Sequence, residues 1–436
     1  MESISPSDLA LELLNHCLRG TGWPAGVLDS LLDAALDGRR EAASEAGRAL
    51  FGIVAEGLSD RFEPSLCETY AEIFSHVLAR AVPGWRAEDL LERYRRVRAP
   101  RRCGLAPGSV RRVVVLSRVT LGADVAVTSV LMDAAKRAFP RAAIVLAGAR
   151  KAYELFAADP RIEHAPLEYG RAGLLRERVE AGLRLREALA GAEVVIDPDS
   201  RITQLGLLPV CEEERYFFFE SRSYGGCGLE TLPVLASRWA GETFGAADAR
   251  PFLAVAGQPP LPDQPVTAVS LGVGENPAKR IGDPFEEHLL AGLLRDGGLL
   301  VVDRGAGGEE RRRVDRALAR VAAPPGRVMS WDGAFAPFAS IIARSRLYVG
   351  YDSAGQHVAA ACGVPLVSVF AGYASPRMFW RWRPEGRGPY SVIQAAGSGP
   401  DNVLVEALSA AYRLWNRHAS PPAGNEPSRP AGSTPR

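Results

Sequence analysis

The chain contains little cysteine, and its six cysteines are widely scattered. No two of them form a Cys-x-x-Cys pair, and they do not cluster with the histidines. Zinc sites and disulfide frameworks both depend on closely spaced ligands or paired cysteines, so the sequence predicts neither. Isolated cysteines are typical of a reducing compartment, and we therefore expect a cytoplasmic protein.

Neither sign of charge is in excess, because 52 lysines and arginines stand against 51 acidic residues. This balance gives no reason to expect a nucleic-acid partner. The arginines nevertheless concentrate before the first predicted strand, at Arg93, Arg95, Arg96, Arg98, Arg101, Arg102, Arg111 and Arg112. We interpret this run as a solvated connection between domains. Peripheral contact with anionic headgroups of the inner membrane surface is the alternative.

A long apolar run is also missing. Residues 358–376 carry no charge, but Gly363 and Pro365 divide them into a helix and a strand, so we predict no membrane span. The amino terminus contains Glu2 and Asp8 and has no basic start, so we expect no signal peptide there.

The 436 residues are enough for two or three domains. Residues 1–105 show apolar positions at helical spacing only, which predicts an all-helical N-terminal domain with a structural role or a protein partner. From residue 110 onward apolar strands alternate with helices, which predicts an α/β protein with parallel sheets. A proline-rich linker at 258–265 separates a first lobe, 110–257, from a second lobe, 266–400.

The last part of the chain is predicted to contain one more element. An amphipathic helix is expected over 401–418, and the Pro/Gly/Ser-rich segment 419–436 is expected to be a disordered tail.

No polar group in the helical prefix looks suited to bind phosphate. We therefore expect the prefix to be dispensable for binding a ligand that carries phosphate.

One turn in the second lobe has the composition of a phosphate site. An apolar strand ends at Asp352 and Ser353, and an alanine-rich helix begins near His357. The turn places backbone N–H groups, a hydroxyl, a carboxylate and an imidazole at a helix N-terminus, where phosphate is readily bound. Gly363 and Pro365 then end the helix before the next strand.

The first lobe opens with a strand, a glycine turn and Asp124 at the start of a helix. A helix N-terminus favours the ionised carboxylate, as a general base requires. Simple capping of the helix is the alternative role for this aspartate. Arg118 and Thr120 lie in the same loop and are candidates for binding an anionic or hydroxylated acceptor.

Together these segments resemble glycosyltransferase family 9, the heptosyltransferase-like enzymes (the ADP-heptose:LPS heptosyltransferase family). The donor motif of that family runs Asp-Ser/Thr-Gly-x-x-His, followed by Ala-Ala-Ala and Gly-x-Pro. In this chain Ala354 takes the place of the glycine and Gly355 follows one residue later. The strand–Gly-Asp–helix motif is also present, with Ala123 inserted between Gly122 and Asp124.

The resemblance implies a GT-B fold, in which two Rossmann-like lobes face each other across a cleft. It implies an inverting glycosyltransferase that needs neither metal nor cofactor. The donor would be a nucleotide-diphosphate sugar, with an ADP-sugar such as ADP-heptose favoured, and the acceptor a glycan, a lipid-linked glycan or a protein. Such an enzyme would act in lipopolysaccharide biosynthesis or a related pathway.

The resemblance also assigns residues to roles. Asp124 would be the catalytic base. The residues implied for donor binding are Lys279, Arg280, Glu309, Asp352, Ser353, Gly355 and His357, and Glu310 is an alternative to Glu309. The acceptor-side candidates are Arg118, Thr120, Asp199 and Arg201.

Two other functions remain open at this point. The departures from the motifs at Ala123 and Ala354 are compatible with a non-catalytic protein that only binds a nucleotide sugar. A nucleotide-sugar epimerase can share the two-lobe fold. It would need further acid and base carboxylates near the donor, and the sequence offers no convincing set.

Overall fold

The computed structural model of the chain describes residues 4–84, 86–170, 173–274, 276–305 and 307–417. The tail predicted at 419–436 lies outside the described residues. None of the described helices combines the length and the apolar character that crossing a membrane would need.

The described part of the prefix is helical. Ser5 caps the first helix, because its hydroxyl accepts a hydrogen bond from the backbone N–H of Asp8, and Pro6 occupies the first helical position. A π-helical turn, Leu50–Ala55, connects the third helix to the fourth. The helices are α1 (Pro6–Leu18), α2 (Ala25–Ala35), α3 (Arg40–Ala49), α4 (Glu56–Ser59), α5 (Pro64–Ala81) and α6 (Ala87–Arg98).

The first lobe contains a parallel sheet of five strands in the order β3-β2-β1-β4-β5. The strands are β1 (Arg112–Leu116), β2 (Ala143–Gly148), β3 (Ile162–Pro166), β4 (Val194–Asp197) and β5 (Tyr216–Phe218). The helices that follow them are α7 (Leu121–Ala123), α8 (Ser129–Ala138), α9 (Arg150–Tyr153), α10 (Leu175–Ala188) and α11 (Leu232–Phe244).

The second lobe contains a parallel sheet of six strands in the order β11-β10-β9-β6-β7-β8. The strands are β6 (Val266–Ser270), β7 (Leu299–Asp303), β8 (Val328–Trp331), β9 (Leu347–Tyr351), β10 (Leu366–Phe370) and β11 (Tyr390–Gln394). The helices are α12 (Phe285–Leu293), α13 (Gly308–Arg320), α14 (Phe335–Ala343), α15 (Ala354–Ala361), α16 (Pro376–Trp382) and α17 (Pro400–Arg417).

Both sheets confirm the predicted α/β class, and both have the strand order of a Rossmann fold. In each sheet the order reverses beside the lobe's first strand, between β1 and β4 and between β6 and β9. The loops that leave neighbouring strands at such a switch point diverge and open a crevice where ligands bind. The fold therefore gives each lobe one preferred binding edge.

The helical prefix shares its hydrophobic core with the first lobe. Along β1, Val113 and Val115 face one side of the sheet, whereas Val114 and Leu116 face the other. This second side lies in one apolar cluster with prefix residues such as Phe74. The prefix thus supplies a helical layer of the first lobe. A boundary at residue 105 does not separate two cores, which argues against the expectation that the prefix is dispensable.

The interpretation of the arginine run as a solvated connection is wrong for Arg93, whereas most of the other arginines in the run are exposed. Arg93 is buried and donates a hydrogen bond to the carbonyl of Gly206 at 2.9 Å. Arg101 donates to the carbonyl of Tyr216 at 2.6 Å, which lies at the start of β5. These two arginines attach α6 and the segment after it to the first lobe, because they donate hydrogen bonds to backbone carbonyls there.

A second apolar cluster runs without interruption from the first lobe into the second. It joins residues just before and within α8, such as Val127 and Val130, to residues of α14 and α15, such as Phe338 and Val358. The facing surfaces of the lobes are therefore packed against each other as in a protein interior.

Candidate functional site

The segments singled out by the sequence meet where the two switch points face each other. Gly122 in α7 lies against the start of α15 on the other lobe. A Cβ atom on Gly122 would lie 3.2 Å from the Cα of Ala354 and 3.3 Å from the His357 ring. Only glycine allows the two backbones to approach this closely. The structure thus brings the Asp124 turn and the proposed donor motif together.

Asp124 is fully buried, and three donors surround its carboxylate. One oxygen accepts hydrogen bonds from the backbone N–H of Arg118 at 2.7 Å and from the hydroxyl of Thr128 at 2.8 Å. The other accepts from the hydroxyl of Ser117 at 2.8 Å. Burial raises the pKa of Asp124 to about 6, although these hydrogen bonds act in the opposite direction.

The structure does not support the capping role considered for Asp124. The residue has helical dihedral angles, and Thr120 is the residue that precedes α7. The carboxylate of Asp124 accepts hydrogen bonds from Arg118 in the loop before the helix and from Thr128 one turn later. It does not cap N–H groups of the first turn. Asp124 therefore ties the loop after β1 to the helix.

The inserted Ala123 has a visible structural consequence. Residues Asp124–Thr128 form a π-helical turn between α7 and α8. Such a turn holds one residue more than an α-helical turn, so an insertion can be absorbed locally while α8 keeps its contacts. A π-helical turn at this point can therefore accommodate the extra residue before α8 begins.

In the second lobe Lys279 and Asp352 form an ion pair. The Lys279 ammonium lies 2.7 Å from a carboxylate oxygen of Asp352 and 3.3 Å from its backbone carbonyl. Gln356, which the sequence reading did not single out, donates to the other carboxylate oxygen. Its amide oxygen accepts a hydrogen bond from Ser368 at 2.6 Å. No sequence signal pointed to Gln356, since it stands at a variable position of the motif.

The start of α15 shows why Gly355 is needed there. A Cβ on Gly355 would overlap the phenol group of Tyr348 in β9, so the residue serves close packing. Ser353 precedes the helix without capping it through its side chain. Its buried hydroxyl finds no hydrogen-bond partner among the described residues. His357 is buried, and burial lowers its pKa to about 4, so the imidazole is neutral near pH 7.

Two of the proposed donor-binding residues lie away from this cluster. Arg280 pairs with the buried Glu286 at 2.8 Å and with Asp283. Glu309 is exposed, whereas the carboxylate of Glu310 accepts hydrogen bonds from N–H groups of the glycine loop after β6 at 2.9 and 3.0 Å. Successive residues of a helix point about 100° apart, so only one of the two candidate acids faces the loop. Glu310 is the acid at the loop.

The acceptor-side candidates lie at the edge of the first sheet, and each has partners within the chain. Arg118 donates to the carbonyl of Pro198 at 2.7 Å. Asp199 accepts from the side chain of Arg222 at 3.0 Å. Arg201 lies 3.4 Å from the carboxylate of Asp60 in the prefix. The carbonyl of Thr120 accepts the backbone N–H of Asp124 at 2.9 Å.

Helix α16 crosses from the second lobe to the first. The guanidinium of Arg381 is almost fully buried and donates to the carbonyls of Tyr224 and Gly226, at 3.0 and 3.4 Å. Desolvation lowers the pKa of Arg381 to about 10. Arg381 thus links the second lobe to the first. Among the described residues, no group of three or more His, Cys, Asp or Glu side chains is arranged to hold a metal ion.

No protein-family model matches the chain, and no curated protein matches it by sequence. Solved structures do match its fold. A family 9 glycosyltransferase from Veillonella parvula superposes with a TM-score of 0.55 at 16% identity, over 72% of this chain and 99% of that one. E. coli heptosyltransferase WaaC with ADP gives 0.52 at 16% identity, over 70% and 99%. Its complex with ADP-2-deoxy-2-fluoro heptose gives 0.51, also at 16% identity, over the same shares.

These superpositions confirm the resemblance to family 9 at the level of the fold. The two sheets and their helices have the GT-B arrangement of those glycosyltransferases.

Proposed function

We propose that the chain is a glycosyltransferase of the inverting GT-B type that uses a nucleotide-diphosphate sugar. The observation that carries the proposal is the contact of the Asp124 turn with the N-terminus of α15 at facing switch points. A direct displacement requires the base on one lobe and the diphosphate site on the other to face the same small space, with the acceptor hydroxyl and the anomeric carbon between them. The heptosyltransferase structures with ADP and with an ADP-heptose analogue support an ADP-sugar as the donor.

In the proposed reaction Asp124 accepts the proton of an acceptor hydroxyl while the oxygen of that hydroxyl attacks the anomeric carbon of the donor sugar. The bond from that carbon to the diphosphate breaks on the opposite face, so the configuration inverts. Lys279 and the N–H groups at the start of α15 stabilise the negative charge on the departing diphosphate. Glu310 at the loop after β6 is placed beside the same edge of the sheet. The proposal requires no metal ion.

A second function is favoured by a specific observation. Asp124 is fully buried and already has three hydrogen-bond donors, as expected for a carboxylate that only stabilises the loop. A non-catalytic protein that binds a nucleotide sugar is therefore the alternative proposal. A nucleotide-sugar epimerase would need a second acid or base at the donor, and the described cluster around Lys279 and Asp352 provides none that is free of a partner.

A panel of nucleotide-diphosphate sugars distinguishes these functions. Calorimetry measures binding of each one, and release of the nucleoside diphosphate measures turnover with glycan, lipid-linked glycan and protein acceptors. Turnover with one donor and acceptor supports the transferase. Binding without turnover under every condition supports the non-catalytic protein, and interconversion of the free nucleotide sugar supports the epimerase.

The proposal includes a place in the cell. We propose that the enzyme acts in the cytoplasm, with an acceptor that is soluble or is presented at the inner membrane surface. Co-sedimentation with anionic vesicles at low and high salt tests the second case, because an interaction with headgroups weakens as salt is added.

Turnover should fall on acidification near pH 6, well above the range of an ordinary aspartate. Asp124 acts as a base only when ionised, and burial raises its pKa from 3.8 to about 6. Below that value turnover should fall about tenfold per pH unit. The profile of kcat/KM between pH 5 and 8 tests this, because kcat/KM reports groups of the free enzyme, and turnover that stays constant down to pH 5 would contradict the assignment.

Unfolding must be excluded as the cause of this loss. A raised folded-state pKa stabilises the folded protein on acidification, so Asp124 itself favours folding as the pH falls toward 4. The lowered pKa of His357 has the opposite sign, and its contribution is lost as the pH falls from 6.5 toward about 4. Melting temperatures at each pH show which range is usable.

Replacing Lys279 with alanine should weaken binding of a nucleoside diphosphate about tenfold to a hundredfold, since hydrogen bonds to charged groups contribute about 1.5–3 kcal/mol. Calorimetry with ADP measures the change. The chain has two other lysines, Lys136 and Lys151. Lys151→Ala is the control, because this residue is exposed at the start of α9 on the other lobe. Equal affinities for all three proteins would exclude Lys279 from the donor site.

A further inference from the structure

One turn of the helical prefix reaches the second lobe. Residues 60–62 connect α4 to α5, and two of their carbonyls accept hydrogen bonds from the start of α16. The carbonyl of Arg61 accepts from the hydroxyl of Ser375 at 2.8 Å. The carbonyl of Phe62 accepts from the guanidinium of Arg377 at 2.6 Å. The prefix is therefore attached to a lobe that lies more than 200 residues further along the chain.

The ring of Phe62 is buried at this junction, with 2% of the residue exposed. It packs edge-on against Trp382, at 6.2 Å between ring centroids. Trp382 in turn lies 5.8 Å from the His357 ring, and the guanidinium of Arg118 lies over it, also at 5.8 Å. Trp382 thus lies between the acceptor-side loop of the first lobe and the donor motif of the second, and the Phe62 ring packs against it.

The backbone conformation of Phe62 is strained, which indicates that contacts around the turn hold it in place. Phe62 has a φ of +58°, in the left-handed region that a bulky side chain rarely adopts. Surrounding contacts must hold such a residue in place, and strain of this kind concentrates at sites that move or bind ligands. The contacts of its ring and its carbonyl with α16 are the ones that hold it.

The turn and α4 also pair with Arg201, one of the proposed acceptor-side residues. The guanidinium of Arg201 lies 3.4 Å from Asp60 and 3.8 Å from Glu56, both in the prefix. These carboxylates hold an arginine that would otherwise be available to an acceptor. The prefix thus covers the site with acidic groups as well as with the Phe62 ring.

We propose that the turn 60–62 is an intramolecular strap that closes the acceptor side of the cleft. The strap leaves α16 before an acceptor reaches Asp124, and Phe62 and Arg377 are the contacts that hold it closed. The closure is a property of the fold. Its effect on turnover rests on the proposed transferase function.

Phe62→Gly in the full chain tests the closure without any substrate. The substitution removes the ring and also relieves the left-handed strain, because glycine adopts positive φ freely. Amide hydrogen exchange of α15, measured by mass spectrometry, should become about tenfold faster when the contact is lost. Asp248→Gly is the matched control, since Asp248 is exposed and also has a positive φ, of 60°. Exchange unchanged from wild type in the folded Phe62→Gly protein would overturn the strap.

A second variant keeps the test decisive if Phe62→Gly does not fold. Arg377→Gln leaves the ring in place and removes the hydrogen bonds of the guanidinium to the carbonyls of Phe62 and Gly226. It should accelerate exchange in the same helix, and protection equal to wild type would overturn the proposal.

Turnover separates the strap from the function on which it depends. If the chain is a transferase, Phe62→Gly should raise kcat/KM for the acceptor about tenfold, whereas Asp248→Gly should not. Faster exchange in α15 without turnover in any variant would overturn the transferase and support the strap. Turnover in wild type that is unchanged or lower in a folded Phe62→Gly protein, with normal exchange in α15, would overturn the strap alone.

Discussion

Replacing Asp124 with asparagine should lower turnover about a hundredfold or more and leave donor affinity close to that of wild type. Asparagine has nearly the same shape and can still accept hydrogen bonds from Arg118 and Thr128, but it cannot take the acceptor's proton. The proposed donor contacts at Lys279 and Asp352 belong to the other lobe and stay intact. Steady-state kinetics with the donor found in the panel and calorimetry with ADP measure the two quantities.

Asp197 offers a closely matched control for this experiment. It is also fully buried in the first lobe, with a pKa raised to about 6 by burial. Its partners are internal, the hydroxyls of Thr203 and Tyr216 and the backbone N–H of Ser200. Asp197→Asn should therefore keep its turnover if it folds. An equal loss in both variants would mean that Asp124 acts through the stability of the loop, and unchanged turnover in Asp124→Asn would remove it from the chemistry.

A chain that begins at Pro107 should fail to fold into a stable first lobe. Its first sheet would lose the prefix from the face that includes Val114, Leu116, Val145 and Val195, and only α10 and the neighbouring loops of the lobe would still cover that face. Each apolar side chain of this size contributes about 1.5–3 kcal/mol when it is buried, and a whole domain is stable by only about 5–15 kcal/mol. Circular dichroism and thermal unfolding of the purified chain test this expectation.

Two further samples make the result specific to the prefix. A chain that ends at Arg417 removes nothing from the described structure and should melt as the full chain does. Co-expression of residues 1–106 with the truncated chain should restore a folded complex, because the missing helical layer is supplied again. Cooperative melting of the truncated chain at the temperature of the full protein would show that the shared core is unimportant.

The sequence predicted much of the fold because alternation between apolar strands and helices is a local signal. The resemblance to family 9 also predicted that Lys279 and Asp352 belong to one site, and the structure brings the two side chains into contact. The sequence did not predict the packing of the prefix. Helical periodicity shows that Tyr70 and Phe74 lie on an apolar face, but it does not say which surface that face covers.

Individual side chains of the site were harder to predict than its location. Glu309 and Glu310 are neighbours in sequence, and only the phase of α13 decides which one reaches the glycine loop. Phe62 carries no signal at all, because its importance comes from a left-handed turn and from Trp382, which lies 320 residues later. Such contacts depend on how distant parts of the chain pack together.

The apolar cluster that continues from one lobe into the other determines what limits the arrival of a donor. Any opening wide enough for a nucleotide separates these surfaces and exposes Val127, Phe338 and Val358 to water. The free-energy cost of that opening comes from hydrating apolar surface, so the opening has a positive heat-capacity change. This cost is the same whichever ligand is present. Donors that differ in base or sugar would then bind at similar rates, and selectivity among them would arise from how slowly each one leaves.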